Sequence, residues 1–359
     1  MPEDQKDNYI PHLVVGSDLF SLATFNTLTE RFGRENVAIV SATKITKDLA
    51  KLIGPSGLRG DVNTKVFRDM FPELEYKTYG EDSFFYKESK LHSFSSRTKP
   101  EKMLWGEDFF KSPRIEVSLE TLFPFLKDTN FFASLNHKKH TISAITPLKD
   151  NSFKLETYKD EVLFCDKLYF GDGPHALGKL ISPREAVSTS FLEFCSELAT
   201  PLSLNIKLIF ESSVTKTFET LFIPLSFTYD WGHFIGEFTN ECEANFVCYM
   251  DENISQEDEV SKKFRILIRN LEKVFPTIKK IKYKKYFSLN KKTPCQEIDD
   301  EKFKQVSSEL PNLHFIGLNA PVTNADDIQE KFGYSSASCT HLIRGFLNHQ
   351  NLLKNLINA

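Results

Sequence analysis

No apolar run in this chain of 359 residues approaches the roughly 18 needed to cross a bilayer, so no membrane-spanning segment is expected. Cysteine is sparse: Cys165, Cys195, Cys242, Cys248, Cys295 and Cys339 are scattered, with no C-x-x-C pair and no histidine at zinc-site spacing. That pattern excludes a disulfide scaffold and assigns no metal ligand. The first residues, Met1 to Asn8, lack the basic and apolar regions of a secretory signal, and reduced thiols in a cytoplasmic protein are the expectation. Positive charge is not in excess. The formal net charge is -4, and no aromatic-basic motif is present, which argues against a dedicated nucleic-acid binder. No Ser-His-Asp or Cys-His arrangement follows from spacing, so catalytic residues stay unassigned. Phenylalanine is abundant instead: 33 copies spread along the chain point to aromatic-rich packing.

Glycine is missing where one local pattern needs it. The segment Leu13-Val14-Val15-Gly16-Ser17-Asp18-Leu19-Phe20-Ser21 has the layout of a strand, tight turn and helix that holds a dinucleotide. In such a turn the first glycine makes the bend, the second admits the pyrophosphate to the backbone, and the third lets the helix pack on the strand. Gly16 keeps the bend. Asp18 stands at the second position, where its carboxylate brings bulk and like charge, and Ser21 stands at the third.

The opening reads as a βαβ unit: a strand from His12 to Gly16, a helix from about Phe20 to Phe32 closed by Gly33, and a strand from Val37 to Ser41. Residues 44 to 113 are broken by Gly54-Pro55-Ser56-Gly57 and Gly60, with a short helical pattern near Val66 to Met70. A helix is expected from Glu116 to Leu126 and a short strand from Phe131 to Ser134. Strands near Thr141 to Thr146, Phe153 to Thr157, Glu161 to Phe164 and Lys167 to Phe170 follow, the first three forming an antiparallel meander.

Cys165-Asp166-Lys167-Leu168-Tyr169-Phe170-Gly171-Asp172-Gly173-Pro174-His175-Ala176-Leu177 resembles the stretch of the flavin amine oxidase, protoporphyrinogen oxidase and phytoene desaturase superfamily in which a strand returns the chain to the nucleotide domain. Pro311-Asn312-Leu313-His314-Phe315-Ile316-Gly317 is similar to the last parallel strand of those flavoproteins, and the matches run in order from Leu13 to about Phe346. The resemblance implies an α/β fold. A discontinuous FAD/NAD(P)-binding Rossmann-like domain would comprise residues 1–182 and 299–359, and an α+β substrate-like domain on a mainly antiparallel sheet would comprise 183–298. In the second, strands are expected over 202–210, 218–227, 233–238 and 245–250, with a helix over 257–274.

The resemblance also implies FAD, with contacts carried over to Gly16, Ser17, Asp18, Ser21, Ser41, Gly317, Asn319 and Ser335. Three family contacts to FAD depart from the pattern. The turn is altered at Asp18 and Ser21, the ribose-binding acid is replaced near Ser41, and the late aspartate is replaced at Leu318 or Asn319. Each lost charge-assisted hydrogen bond costs roughly 1.5 to 3 kcal/mol. The chain is therefore expected to hold FAD weakly and to act by binding a protein partner or an apolar small molecule. The alternative is an active FAD-dependent oxidoreductase of the amine oxidase type with an atypical phosphate loop. Gly333-Tyr334-Ser335-Ser336-Ala337 opens a helix fit either to approach an isoalloxazine or simply to be serine-capped. Asp172 and His175 read as a helix cap with an exposed imidazole, and Asp18 as a cap of the helix after it. Lys279-Lys280-Ile281-Lys282-Tyr283-Lys284-Lys285-Tyr286 fits a strand with one wet face or a surface for an anionic partner.

Overall fold

The computed structural model describes residues 8–52, 61–74, 76–79, 83–93, 114–116, 118–198, 202–224, 233–250, 256–291, 297–298, 300–317, 320–323, 349–350 and 352. In chain order its strands are β1 (His12–Val15), β2 (Val37–Ser41), β3 (Lys77–Tyr79), β4 (Ser83–Lys87), β5 (Lys90–Ser93), β6 (Arg114–Glu116), β7 (His137–Lys139), β8 (Ile142–Pro147), β9 (Phe153–Thr157) and β10 (Val162–Cys165). They continue with β11 (Lys167–Phe170), β12 (Leu202–Phe210), β13 (Thr220–Pro224), β14 (His233–Asn240), β15 (Glu243–Met250), β16 (Tyr283–Lys291), β17 (Glu297–Ile298), β18 (Leu313–Phe315) and β19 (Val322–Thr323). The chain divides into two units, one of residues 1–51, 119–201 and 291–359, the other of residues 52–118 and 202–290.

The first unit is built on a parallel sheet of order β18-β11-β1-β2-β7. Leu13, Val14, Val37, Ala38, Ile39 and Val40 are fully buried, as central parallel strands covered on both faces must be. Strand β18 joins this sheet beside β11, although some 140 residues of sequence separate the two. Helix α1 (Leu19–Phe32) follows β1 and ends where Gly33, at φ +84°, donates its N–H to the Thr29 carbonyl. The β8-β9-β10 meander is antiparallel, as its alternating pattern indicated. Its inward residues Ile142, Ile145, Phe153, Leu155 and Leu163 join one core with Leu13, Val15, Ala38, Val40, Leu168 and Phe170. On the opposite face of the sheet His12 stacks on Phe32 of α1 at 4.1 Å, and Tyr169 stacks on His314 at 5.0 Å.

Two local expectations are corrected. The Glu116 to Leu126 stretch is not one helix: β6 ends at Glu116, and a single helical turn, Leu119–Leu122, is followed by a 3-10 turn, Pro124–Lys127. Pro124 lacks an N–H and restricts Phe123 before it, which stops the helix there. Phe131 to Ser134 is not a strand. The Asp128 carboxylate accepts the Asn130 N–H at 2.8 Å and starts a helix, Thr129–Ala133, so the parallel strand comes later, at His137–Lys139.

The second unit is built on a seven-stranded sheet of order β16-β12-β15-β14-β13-β4-β5. Residues 52–118, assigned by sequence to the first domain, belong here because β4 pairs in parallel with β13. One face packs Leu204, Ile206, Leu208, Ile223, Phe234, Phe238 and Phe246 against Phe264, Leu267, Ile268 and Leu271 of the long helix Gln256–Val274. That helix shows the 3.6-residue apolar periodicity that fits it to a sheet.

Candidate functional site

Ligands of open α/β sheets bind outside the carboxyl ends of the strands. Here those ends carry Gly16, Ser41, Gly171 and Gly317. Gly16 bends the chain at φ +147° and donates its N–H to the Val40 carbonyl at 3.0 Å. Ser17 follows, half-buried. Asp18 is extended (φ -77°, ψ 172°), and its Oδ1 accepts the N–H of Ser21 at 2.7 Å, capping α1. Its Oδ2 borders the last strand, because a Cβ built on Gly317 would lie 3.0 Å from it. A negative carboxylate thus occupies the place at the N-terminus of α1 where a diphosphate would find amide donors.

Ser21 fills the volume that the third glycine would leave open. Its Oγ would lie 2.3 Å from a Cβ on Gly16 and 2.6 Å from one on Gly171; the φ of +147° also holds Gly16 to glycine, and a Cβ on Gly171 would meet the Val15 carbonyl oxygen at 3.0 Å. The hydroxyl is fully buried and has no hydrogen-bond partner.

At the end of β2 the Ser41 hydroxyl donates to the Thr43 carbonyl at 2.7 Å. With its only proton used there, it accepts from Nε2 of His137 at 2.9 Å, which fixes the Nε2–H tautomer. Burial holds the imidazole below its ordinary range, opposed by a hydrogen bond to the Ser41 backbone and aided by the charges of Lys139 and His140. Ser41 is therefore engaged with the protein at the position where the sequence resemblance implies an acid for the ribose. The sequence did not single out His137, whose place beside β2 follows only from the pairing of β7.

Gly317 is left-handed at φ +77°. Leu318, Asn319, Ser335 and the helix expected after Gly333 lie outside the described residues. Asp172 caps the Gly173–Leu180 helix by position, without a side-chain cap hydrogen bond, and His175 is half-buried rather than exposed. No group of three or more metal-ligating side chains occurs among the described residues.

The second unit carries a feature that sequence reading missed. On the sheet face away from the long helix, Lys207 of β12, Asn245 of β15 and Glu237 of β14 are direct cross-strand neighbours, and all three are buried. Lys207 Nζ donates to Glu243 at 2.9 Å, while Asn245 Oδ1 has no partner. The next row on this face is Asn205, Val247, Ile235, Phe222 and Phe85. Phe222 lies on this face and Phe234 on the face packed against the long helix. The signal was present in Ser203-x-Asn205-x-Lys207, a polar residue at every second position of a strand.

No protein-family model matches the chain, and no curated protein matches it in sequence. Among solved structures, an oxidoreductase from Methanosarcina mazei superposes with a TM-score of 0.51 at 11% identity, over 96% of this chain and 100% of that one. The chain has the fold of that oxidoreductase. At this identity the likeness is one of fold, and it agrees with the Rossmann-like architecture that the resemblance implied. Putrescine oxidase with bound putrescine is also similar (TM-score 0.49, 10% identity, 98% and 99% of the two chains). So is a geranylgeranyl bacteriochlorophyll reductase-like protein from Thermoplasma acidophilum (TM-score 0.46, 12% identity, 97% and 80%).

Proposed function

We propose that this chain is a flavoprotein-fold protein that acts by binding a protein partner or an apolar small molecule and does not hold FAD firmly. The observation that carries the reading is the Asp18 carboxylate on the Ser21 N–H at 2.7 Å. A diphosphate at the same amides would meet a like charge. At an effective dielectric of about 20, two such charges 4 Å apart repel by roughly 4 kcal/mol, on the order of a thousandfold in affinity. That repulsion is the limit for a fixed carboxylate; if Asp18 swings off the helix the charge cost falls to the lost cap, about 1 kcal/mol, and its bulk at the second glycine position remains. The engagement of Ser41 with Thr43 and His137 supports the same reading at the ribose end. Buried thiols at Cys165, Cys195 and Cys248 support a reducing, cytoplasmic setting, and no helix among the described residues is long and apolar enough to cross a membrane.

The test is the visible absorption spectrum of the purified chain and the flavin released on denaturation. A colourless preparation is expected, with residual FAD affinity raised by Asp18→Gly combined with Ser21→Gly and left nearly unchanged by Asp172→Ala. A yellow protein with stoichiometric FAD overturns the reading. It would favour the second one, an FAD-dependent oxidoreductase of the amine oxidase type, which the likeness to the Methanosarcina mazei oxidoreductase and the glycines at 16, 171 and 317 support.

A further inference from the structure

The lysine-rich stretch after residue 278 turns out to be part of a larger surface. Pro276–Lys280 is a 3-10 turn, β16 begins at Tyr283, and Lys279, Lys280 and Lys285 are all exposed. The helix Gln256–Val274 just before them exposes Lys262, Arg265, Arg269 and Lys273. Spacings of three, four and four residues place these four within roughly 80° of the helix circumference. Lys285 joins the flank of the helix, since its Nζ lies 4.6 Å from the centre of the Phe264 ring. Among the described residues the acidic side chains on or beside this face are Asp258, Glu259, which pairs with Lys262 at 3.4 Å, Glu272, Glu211, whose N–H donates to the Lys282 carbonyl, and Glu241, while Lys282 and Lys284 add two more exposed cations. Cations outnumber them, in a chain whose net charge is -4.

We propose that this face of the second unit docks on an anionic phospholipid surface. The helix's apolar stripe, Phe264, Leu267, Ile268 and Leu271, is used in its own core, so no apolar face remains to insert, and attraction rests on charge alone. Clustered cations on a helix and an adjoining edge strand meet a plane of phosphates without any need for base contacts. Tyr158 is the large exposed apolar side chain among the described residues and belongs to the first unit, so the patch presents no aromatic platform for nucleobases.

Cosedimentation of the full chain with vesicles tests the proposal. Vesicles of phosphatidylcholine containing about one-third phosphatidylserine should bind at least tenfold more protein than pure phosphatidylcholine at low ionic strength, with binding abolished near 0.5 M salt. The variant Arg265→Glu, Lys279→Glu, Lys280→Glu should lose about tenfold. A control with the same change in charge on the first unit, Lys127→Glu, Lys149→Glu, Lys159→Glu, should lose less than about twofold, both variants being checked for native circular dichroism. Equal binding to both vesicle types, no binding at low salt, or equal losses in the two variants overturns the proposal. Displacement from the vesicles by a duplex oligonucleotide at matched phosphate concentration also overturns it, in favour of a nucleic-acid surface.

Discussion

The Asp18 carboxylate and the Ser21 backbone form one closed unit: Oδ1 takes the Ser21 N–H at 2.7 Å, while the Ser21 hydroxyl closes the gap between Gly16 and Gly171. The two residues that replace glycines are thus the ones that make the turn self-sufficient.

If Asp18 serves as a cap, its hydrogen-bond acceptor matters more to folding than its charge. Asp18→Asn should stay within about 0.5 kcal/mol of wild type, and Asp18→Ala should lose about 1 kcal/mol, both read from urea unfolding midpoints. A loss in Asn as large as that in Ala would show that the charge, not the cap, stabilises the turn.

Ser21 buries a hydroxyl that makes no hydrogen bond. Removing such a group lifts its desolvation cost, so Ser21→Ala should raise stability by about 1 kcal/mol. Ser21→Val should lower it, because added methyls press on Gly16 and Gly171, which have no space to yield. Thermal denaturation of the pair gives the comparison, and destabilisation by Ala would place a hidden partner at the hydroxyl.

Acid should weaken the first unit. Burial, reinforced by Lys167 and His12, depresses His314 from 6.5 to about 4, and burial also lowers His12. The folded state then binds fewer protons than the unfolded one between these values, so stability is full above about pH 6.5 and falls as pH drops toward 4. The full effect of His314 is on the order of 3 kcal/mol. His314→Phe keeps a ring against Tyr169 and should flatten the decline, as measured by urea midpoints at pH 7 and pH 5. An unchanged slope would locate the acid sensitivity elsewhere.

In the second unit, Lys207 is buried and Glu243 is partly exposed, the pair 2.9 Å apart. Glu243→Ala takes one carboxylate from a buried ammonium and should cost up to about 3 kcal/mol, whereas Lys207→Met removes the ammonium itself and should cost less. Equal losses in chemical denaturation would mean that the pair adds nothing beyond packing.

Much of the first unit was legible because its determinants are local. Alternation and apolar runs marked β1, β2 and the meander, Gly33 marked the end of α1, and Asp18 read as a cap from its place before an apolar helix. Pro124 shows how a single residue redirects a segment whose apolar content alone suggested a helix. What the chain could not reveal by itself were relations between distant segments. The seating of β18 beside β11, the recruitment of β4 and β5 into the second sheet, and the meeting of His137 with Ser41 depend on strand pairing across long sequence separations. The row of Lys207, Asn245 and Glu237 and the cationic face around Arg265 and Lys279 are of the same kind. Each residue was visible, but a charge acquires meaning from its neighbours and its burial. Those are fixed when strands align in register and a helix turns one face to the core, so the sequence determined the elements and the altered turn, and the tertiary structure decided which side chains share a surface.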